Sequence, residues 1–284
     1  MSLDKIAVIG SGLMGRGIAY AAAVGGYTTS LHDVAAPALD KALAEIDKDL
    51  DEGVARGKLQ RAEAEAARAR LVPEPDLERA VAGSALVIEA VPEEIALKLA
   101  LFARLDALCP EPAVLATNTS ALSVTEIAAA TRNPARVLGM HFFNPVPKMK
   151  LVEIVRALET GEAAIVTTAE IARRIGKETV LVRDSPGFIT SRVNAMIGNE
   201  AFFMLQEGVA SARDIDKALK LGLNHPMGPF ELVDLVGLDT RLAVLEFMHR
   251  TMGEKYRPCP LLVQYVNAGR LGKKVGRGVY EYPS

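Results

Sequence analysis

The chain is predicted to fold as an α/β protein: a mostly parallel sheet with a helical hairpin inserted in it, followed by an all-helical C-terminal region. Three observations carry this. An apolar run at residues 5–9 leads straight into a glycine-rich turn and a small-residue helix. Apolar runs at 85–91 and 113–117 have the character of strands buried on both faces of a parallel sheet. Beyond Phe188 no alternating or strand-like run of useful length remains. With 284 residues, half of them hydrophobic, the chain can build two cores. The expected domains are 1–184 and 185–284, divided at Arg183-Asp184-Ser185-Pro186-Gly187, where all periodicity stops.

The first element is the most informative. Gly10-Ser11-Gly12-Leu13-Met14-Gly15 opens the helix that follows the strand. Gly10 permits the tight turn, Gly12 lets the backbone approach a pyrophosphate, and Gly15 lets helix and sheet pack closely, with the phosphates on the helix N-terminus. This is the Rossmann-type arrangement. Gly25-Gly26 ends the helix, and a second strand at 27–32 stops at Asp33, eighteen residues after Gly15. A carboxylate there accepts hydrogen bonds from an adenosine ribose and repels a 2'-phosphate, so NAD is expected in preference to NADP.

Leu39, Ala42, Leu43, Ile46 and Leu50 recur at helical spacing behind Pro37, and the segment 53–57 breaks the chain before a second helix reaching residue 71. The pair reads as a hairpin projecting from the sheet, with Arg56 and Lys58 among the charges of a solvated surface or a phosphate contact. After the apolar run at 85–91, Pro92-Glu93-Glu94 starts a helix. Glu93, Lys98 and the triplet Asn118-Thr119-Ser120 fall at the carboxyl ends of strands, where ligands bind in open α/β sheets. A helix-start acid and a solvent lysine are the plain alternative for Glu93 and Lys98. Ser123 and Glu126 have capping-box spacing, which makes Ser123 structural and Ser120 the better candidate for chemistry.

Strands at 137–142 and 150–155, folded back about Pro147, put His141 opposite Glu153. A carboxylate beside an imidazole fixes its tautomer and favours the imidazolium, which suits a general base facing a nicotinamide. Such a base takes a hydroxyl proton while a hydride leaves the same carbon. The acid orients the ring, much as in a hydrolase triad. A helix at 168–175 and a strand at 178–182 complete the first domain. The second is expected to hold helices at 189–206, at 212–220 and from Phe230 onward, with Met196, Phe202, Phe203, Met204 and Leu205 close enough to form a core or a subunit interface.

Composition narrows the classes. A formal net charge of −2 leaves no footprint of a general nucleic-acid or membrane-surface binder. Cys109 and Cys259 fit no metal-ligand spacing and no disulfide framework, which points to a reducing compartment. No apolar run approaches the ~18 residues of a membrane span, and the first strand begins too early for a leader, so a cytoplasmic protein is expected.

His141-Phe142-Phe143-Asn144-Pro145-Val146-Pro147, Lys150-Leu151-Val152-Glu153, the glycine turn, Glu89-Ala90-Val91-Pro92-Glu93, Asn118-Thr119-Ser120 and Pro186-Gly187-Phe188 together closely resemble the 3-hydroxyacyl-CoA dehydrogenases. The resemblance continues through Pro226-Met227-Gly228-Pro229 and Gly237-Leu238-Asp239 to the segment from Gly272 to Tyr280, and is strongest toward the short-chain branch. It implies that His141 is the catalytic base and Glu153 its partner. Ser120 and Asn144 would contact the substrate carbonyl or the nicotinamide end, and Asp33, Glu93, Lys98 and Lys274 would bind NAD. Arg56 and Lys58 on the hairpin would meet CoA phosphates, and the helical domain would form a homodimer. One position departs: Ser191 stands before Arg192 where many relatives carry an asparagine thought to position the substrate, and a serine hydroxyl donates one hydrogen bond at most. Two other readings stay open, a non-catalytic dinucleotide-binding protein and a dehydrogenase of a free hydroxy acid.

Overall fold

A computed structural model describes residues 4–283. The chain divides into two compact units, Met1–Ser185 and Pro186–Ser284, one residue beyond the expected division. The first unit runs β1 (Lys5–Ile9), α1 (Leu13–Val24), β2 (Thr28–His32), α2 (Ala36–Ala55), α3 (Arg61–Arg70), β3 (Leu71–Pro73), α4 (Leu77–Val81), β4 (Leu86–Glu89), α5 (Ile95–Leu108), β5 (Val114–Thr117), α6 (Val124–Ala129), β6 (Val137–Phe142), β7 (Leu151–Arg156), α7 (Glu162–Arg174) and β8 (Glu178–Arg183).

Among the described residues these strands form one sheet in the order β3-β2-β1-β4-β5-β6-β7-β8. The strands from β3 to β6 in that order are parallel to their neighbours. β7 then runs antiparallel to β6, and β8 is parallel to β7. β1 has β2 on one side and β4 on the other, so the strand order reverses there and a crevice opens at the carboxyl ends of β1 and β4. Ile6, Val8, Leu31, Leu86 and Ile88 bury their side chains completely beneath it.

Several elements differ from expectation. The hairpin α2–α3 does not stand off the sheet: Leu39, Ala42, Ile46 and Leu50 of α2, with Ala64 and Ala67 of α3, join the core that α1 and the strands share. Its turn falls at Gly57, and α2 continues through Gly53. The hairpin feeds the short strand β3, which its proline concealed in the sequence; Pro73 is tolerated because β3 is at the sheet edge. α7 begins at Glu162 rather than 168, starting from Gly161 as N-cap. Ser123 caps α6 by accepting the Glu126 amide at 3.2 Å, and the same hydroxyl donates to Asp184 Oδ2 at 2.9 Å.

In the β6/β7 pair Gly139 lies opposite Val155 and His141 opposite Glu153. A Cβ on Gly139 would come within 2.8 Å of the Val155 Cβ and 3.1 Å of Val124, so the valine occupies the space the glycine leaves.

A buried ion pair ties α5 to the entry of β6. Arg136 donates to Asp106 Oδ1 at 2.8 Å and to the carbonyls of Asp106 and Cys109, while Asp106 Oδ2 accepts the Arg132 amide at 3.0 Å. Burial alone would raise the Asp106 carboxyl, but the bonds from Arg136 and Arg132 outweigh it and bring it down from 3.8 to about 2. A depressed carboxylate stabilises the fold above its unfolded pKa, and that contribution is lost as pH falls through the folded one. Urea unfolding of the wild type is therefore expected to lose about 2 kcal/mol from this group between about pH 4 and pH 2. Asp106→Asn should be less stable at neutral pH and flatter across that window.

The second unit is helical: α8 (Thr190–Gln206), α9 (Ala212–Gly222), α10 (Pro229–Val236), α11 (Leu238–Met252) and α12 (Pro260–Asn267). Phe202 sits at its centre, edge-on to Phe230 with ring centroids 5.2 Å apart, among Leu245, Met248, Cys259 and Leu262. Met196, Phe203, Met204 and Leu205 lie half-buried against this core, so much of that cluster is internal packing. Two buried carboxylates hold the C-terminal segment. Asp234 accepts the amides of Val279 and Tyr280 and the Tyr282 hydroxyl, and Asp216 accepts the Tyr280 hydroxyl at 2.7 Å.

Candidate active site

α1 begins at Gly12 with no side-chain cap and no acidic residue in its first turn. Its N-terminal amides and dipole are thus available to an anion. A Cβ on Gly12 would meet nothing within 4 Å, whereas one on Gly15 would lie 1.8 Å from the Gly10 carbonyl oxygen. Gly12 is therefore open toward a ligand and Gly15 is a packing contact, the division of labour expected for a pyrophosphate turn. Leu13 is exposed, and Met14 packs against the core from the first turn.

Asp33 follows β2 directly. Its Oδ2 accepts both the amide and the hydroxyl of Ser11, at 2.9 and 2.7 Å, and its Oδ1 accepts the Ala35 amide at 3.1 Å. Partial burial pushes this carboxyl up, and the bonds from Ser11 and Ala35 more than offset it, so it titrates below the usual carboxylate range. A fixed anion beside the turn is compatible with a ribose diol and hostile to a 2'-phosphate. The uncapped helix, the open Gly12 and this acid fit NAD.

The next two strand ends are bound together by charge. Lys98 is not a solvent lysine: it is 1 % exposed and donates to Glu89 at 2.6 Å, with Glu93 at 3.3 Å. Glu93 precedes α5 and accepts the Thr119 hydroxyl at 2.5 Å and the Ser120 amide at 2.9 Å, with the Ser120 hydroxyl at 3.5 Å. Asn118 accepts the Phe142 amide at 2.9 Å, which joins the end of β5 to the end of β6 beside His141. Sequence reasoning attached no role of its own to Glu89 and placed Asn118 on the ligand side only as one of the triplet with Thr119 and Ser120. The signal for Glu89 was its place inside an apolar run, since a glutamate on a doubly buried strand needs a cationic partner.

His141 and Glu153 meet across the antiparallel pair, with Nδ1 and Oε2 2.6 Å apart; the imidazole is almost fully buried and the carboxylate completely so. The short, charge-assisted contact makes Nδ1 the protonated nitrogen, so Nε2 carries the lone pair. Phe143 stacks against the ring at a centroid distance of 4.5 Å and a tilt of 53°. Asn144 follows in the exposed loop, joined to Pro145 by a cis peptide bond.

The remaining candidates lie elsewhere. Arg56, at the end of α2, is exposed and paired with Glu52 at 2.9 Å, and Lys58 is exposed in the hairpin turn. In the helical unit Ser191 is half-buried in the first turn of α8, and Lys274 donates to both Asp239 oxygens at 2.6 Å.

A dinucleotide crevice at the ends of β1 and β4, with a carboxylate-held histidine near the carboxyl end of β6 in the same sheet, has the parts of an NAD-dependent oxidoreductase. The family model described as 3-hydroxyacyl-CoA dehydrogenase, NAD binding domain, matches residues 5–185, and the 3-hydroxyacyl-CoA dehydrogenase C-terminal domain matches residues 187–282. The chain belongs to the 3-hydroxyacyl-CoA dehydrogenase family and is an enzyme of that class. It is 46 % identical to a probable 3-hydroxybutyryl-CoA dehydrogenase of Bacillus subtilis, over 99 % of this chain and 98 % of the relative. It is 42 % identical to the 3-hydroxybutyryl-CoA dehydrogenase of Bradyrhizobium diazoefficiens, over 99 % and 96 %. The crystal structure of (S)-3-hydroxybutyryl-CoA dehydrogenase PaaH1 from Ralstonia eutropha superimposes with a TM-score of 0.96 at 40 % identity, covering all of both chains. No helix among the described residues is long and apolar enough to cross a membrane.

Proposed function

We propose that the chain oxidises (S)-3-hydroxybutyryl-CoA to acetoacetyl-CoA with NAD, reversibly, using His141 as general base. The observation that carries this reading is the 2.6 Å contact between His141 and Glu153 at the carboxyl end of β6. With Nδ1 held by Glu153, Nε2 takes the proton of the substrate hydroxyl as C3 gives up its hydride and becomes a ketone. Glu153 offsets the positive charge that develops on the ring. NAD, when bound, supplies the hydride acceptor. The amides opening α1 would hold its pyrophosphate and Asp33 its adenosine ribose, and Glu93 and Lys98 would bind it further. Ser120 and Asn144 would orient the carbonyl that forms. Arg56 and Lys58, exposed on the hairpin, suit the phosphates of CoA. A homodimer through the helical unit is consistent with the exposed Leu221, Leu223 and Leu235 there. A cytoplasmic location is consistent with both cysteines being free and buried.

The test is NADH consumption with acetoacetyl-CoA, with free acetoacetate, and with a series of longer 3-ketoacyl-CoA thioesters. Rapid turnover of the four-carbon thioester is expected, with kcat/KM at least about a hundredfold lower for the free acid and at least about tenfold lower for NADPH. Equal use of the free acid would refute the CoA assignment, and no turnover of any compound would favour a non-catalytic NAD-binding protein.

A further inference from the structure

Glu89 is the last residue of β4, a strand enclosed between β1 and β5, and its side chain is 0 % exposed. It makes three bonds: Oε1 accepts Lys98 Nζ at 2.6 Å and the Val91 amide at 2.8 Å, and Oε2 accepts the Thr117 hydroxyl at 2.6 Å. A buried ion pair of this kind is a weak source of stability, because desolvating both charges offsets most of their attraction. What it supplies here is geometry. Val91 lies in the loop after β4, and Lys98 in the second turn of α5. The second contact of Lys98 is Glu93 Oε2, and the other oxygen of Glu93 accepts the Thr119 hydroxyl and the Ser120 amide. Glu89, Lys98 and Glu93 therefore alternate in charge from the interior of the sheet to the loop after β5.

We propose that Glu89 is a positioning residue for the reaction: through Lys98, the Val91 amide and Glu93 it sets the two loops that face the cofactor and the substrate carbonyl. Sealed in the sheet, it acts only through these neighbours. Its carboxylate takes one share of the Lys98 charge and leaves Glu93 with a longer, weaker contact, so that Glu93 keeps its bonds to Thr119 and Ser120. Without Glu89, Lys98 turns wholly to Glu93 and draws that carboxylate from Ser120. This inference rests on the reading of Ser120 and Glu93 as ligand-facing residues, and its first readout is independent of any thioester.

The experiment compares Glu89→Gln, Thr117→Val and Asp106→Asn in the full-length protein. NADH affinity is read by fluorescence titration, kcat and KM with acetoacetyl-CoA, and stability by thermal unfolding. Thr117→Val retains every charge and removes one bond to Glu89; Asp106→Asn disrupts a comparably buried ion pair on the same helix that takes no part in the site. Glu89→Gln is expected to weaken NADH binding about tenfold or more and to lower kcat about tenfold, and Thr117→Val to weaken NADH binding about threefold. Asp106→Asn should lose stability with NADH affinity and kcat within twofold of wild type. If Glu89→Gln loses stability but binds NADH and turns over within twofold of wild type, the residue is structural and the proposal fails. If Glu89→Gln does not fold, an unchanged NADH affinity in Thr117→Val overturns it, and the threefold loss supports it. Should wild type bind NADH but leave acetoacetyl-CoA untouched, the substrate reading fails while the titration still decides the role of Glu89.

Discussion

His141→Gln is expected to lower kcat by about a thousandfold while NADH affinity stays within about twofold, since general-base catalysis contributes roughly 10²–10⁴ in rate. Glutamine keeps the size of the side chain and can still hydrogen-bond, but it cannot take a proton from the hydroxyl at neutral pH. Glu153→Gln should cost about two orders of magnitude by a different route. The carboxylate can only accept, so it demands the proton on Nδ1 and leaves the lone pair on Nε2. A glutamine amide can instead donate to Nδ1 and stabilise the opposite tautomer, in which Nε2 is protonated and useless as a base. Single-turnover kinetics with each variant, beside NADH titration, check both. A His141→Gln enzyme retaining more than about a tenth of wild-type kcat would remove His141 from the role of base.

The second large effect separates two glycines in one turn. Gly15→Ala brings a Cβ to within 1.8 Å of the Gly10 carbonyl oxygen, a clash of backbone against helix that no rotamer relieves. It should destabilise the cofactor-free protein by about 3 kcal/mol, through overpacking, and abolish measurable NADH binding. Gly12→Ala meets nothing within 4 Å, and Gly12 has φ −63° and ψ −171°, ordinary extended backbone for alanine. Cofactor-free stability is expected to stay within about 0.5 kcal/mol of wild type, with NADH affinity reduced about tenfold or more because the methyl occupies the side from which phosphate approaches. Thermal unfolding with and without NADH distinguishes the two. Equal behaviour of the variants would mean that the turn does not bind pyrophosphate as described.

Much of this arrangement was legible in the sequence because it rests on local rules. The glycine turn, Asp33 after β2 and the His141/Glu153 pairing follow from short segments whose spacing survives folding, and the family resemblance spans both units. Less legible were features that depend on what lies across the sheet. Glu89 was absorbed into an apolar run, and Lys98 was open to reading as a solvent lysine, because the bond between them joins a strand to a helix nine residues on. β3 was hidden by its three-residue length and its proline, which only an edge position permits. Ser123 caps its own helix through the Glu126 amide three residues on, as its spacing predicts, but its second partner, Asp184, lies sixty-one positions away, beyond the reach of any local rule. The boundaries of α2 and α7 moved for a similar reason: burial of one face carries a helix past residues that propensity alone would use to stop it.

Gly139 has a consequence for how such an enzyme can vary. The space beside it admits Val155, and two residues on along β6 and two back along β7 the same alignment brings Glu153 to His141. The missing side chain thus acts as an index mark for the register that sets Glu153 opposite His141. The loop between the strands, residues 143–150, is thereby relieved of that duty. Beyond Phe143 and Asn144 its residues can change while the mark keeps the proton-transfer pair aligned, so the register of the pair and the make-up of the turn are written in separate parts of one hairpin.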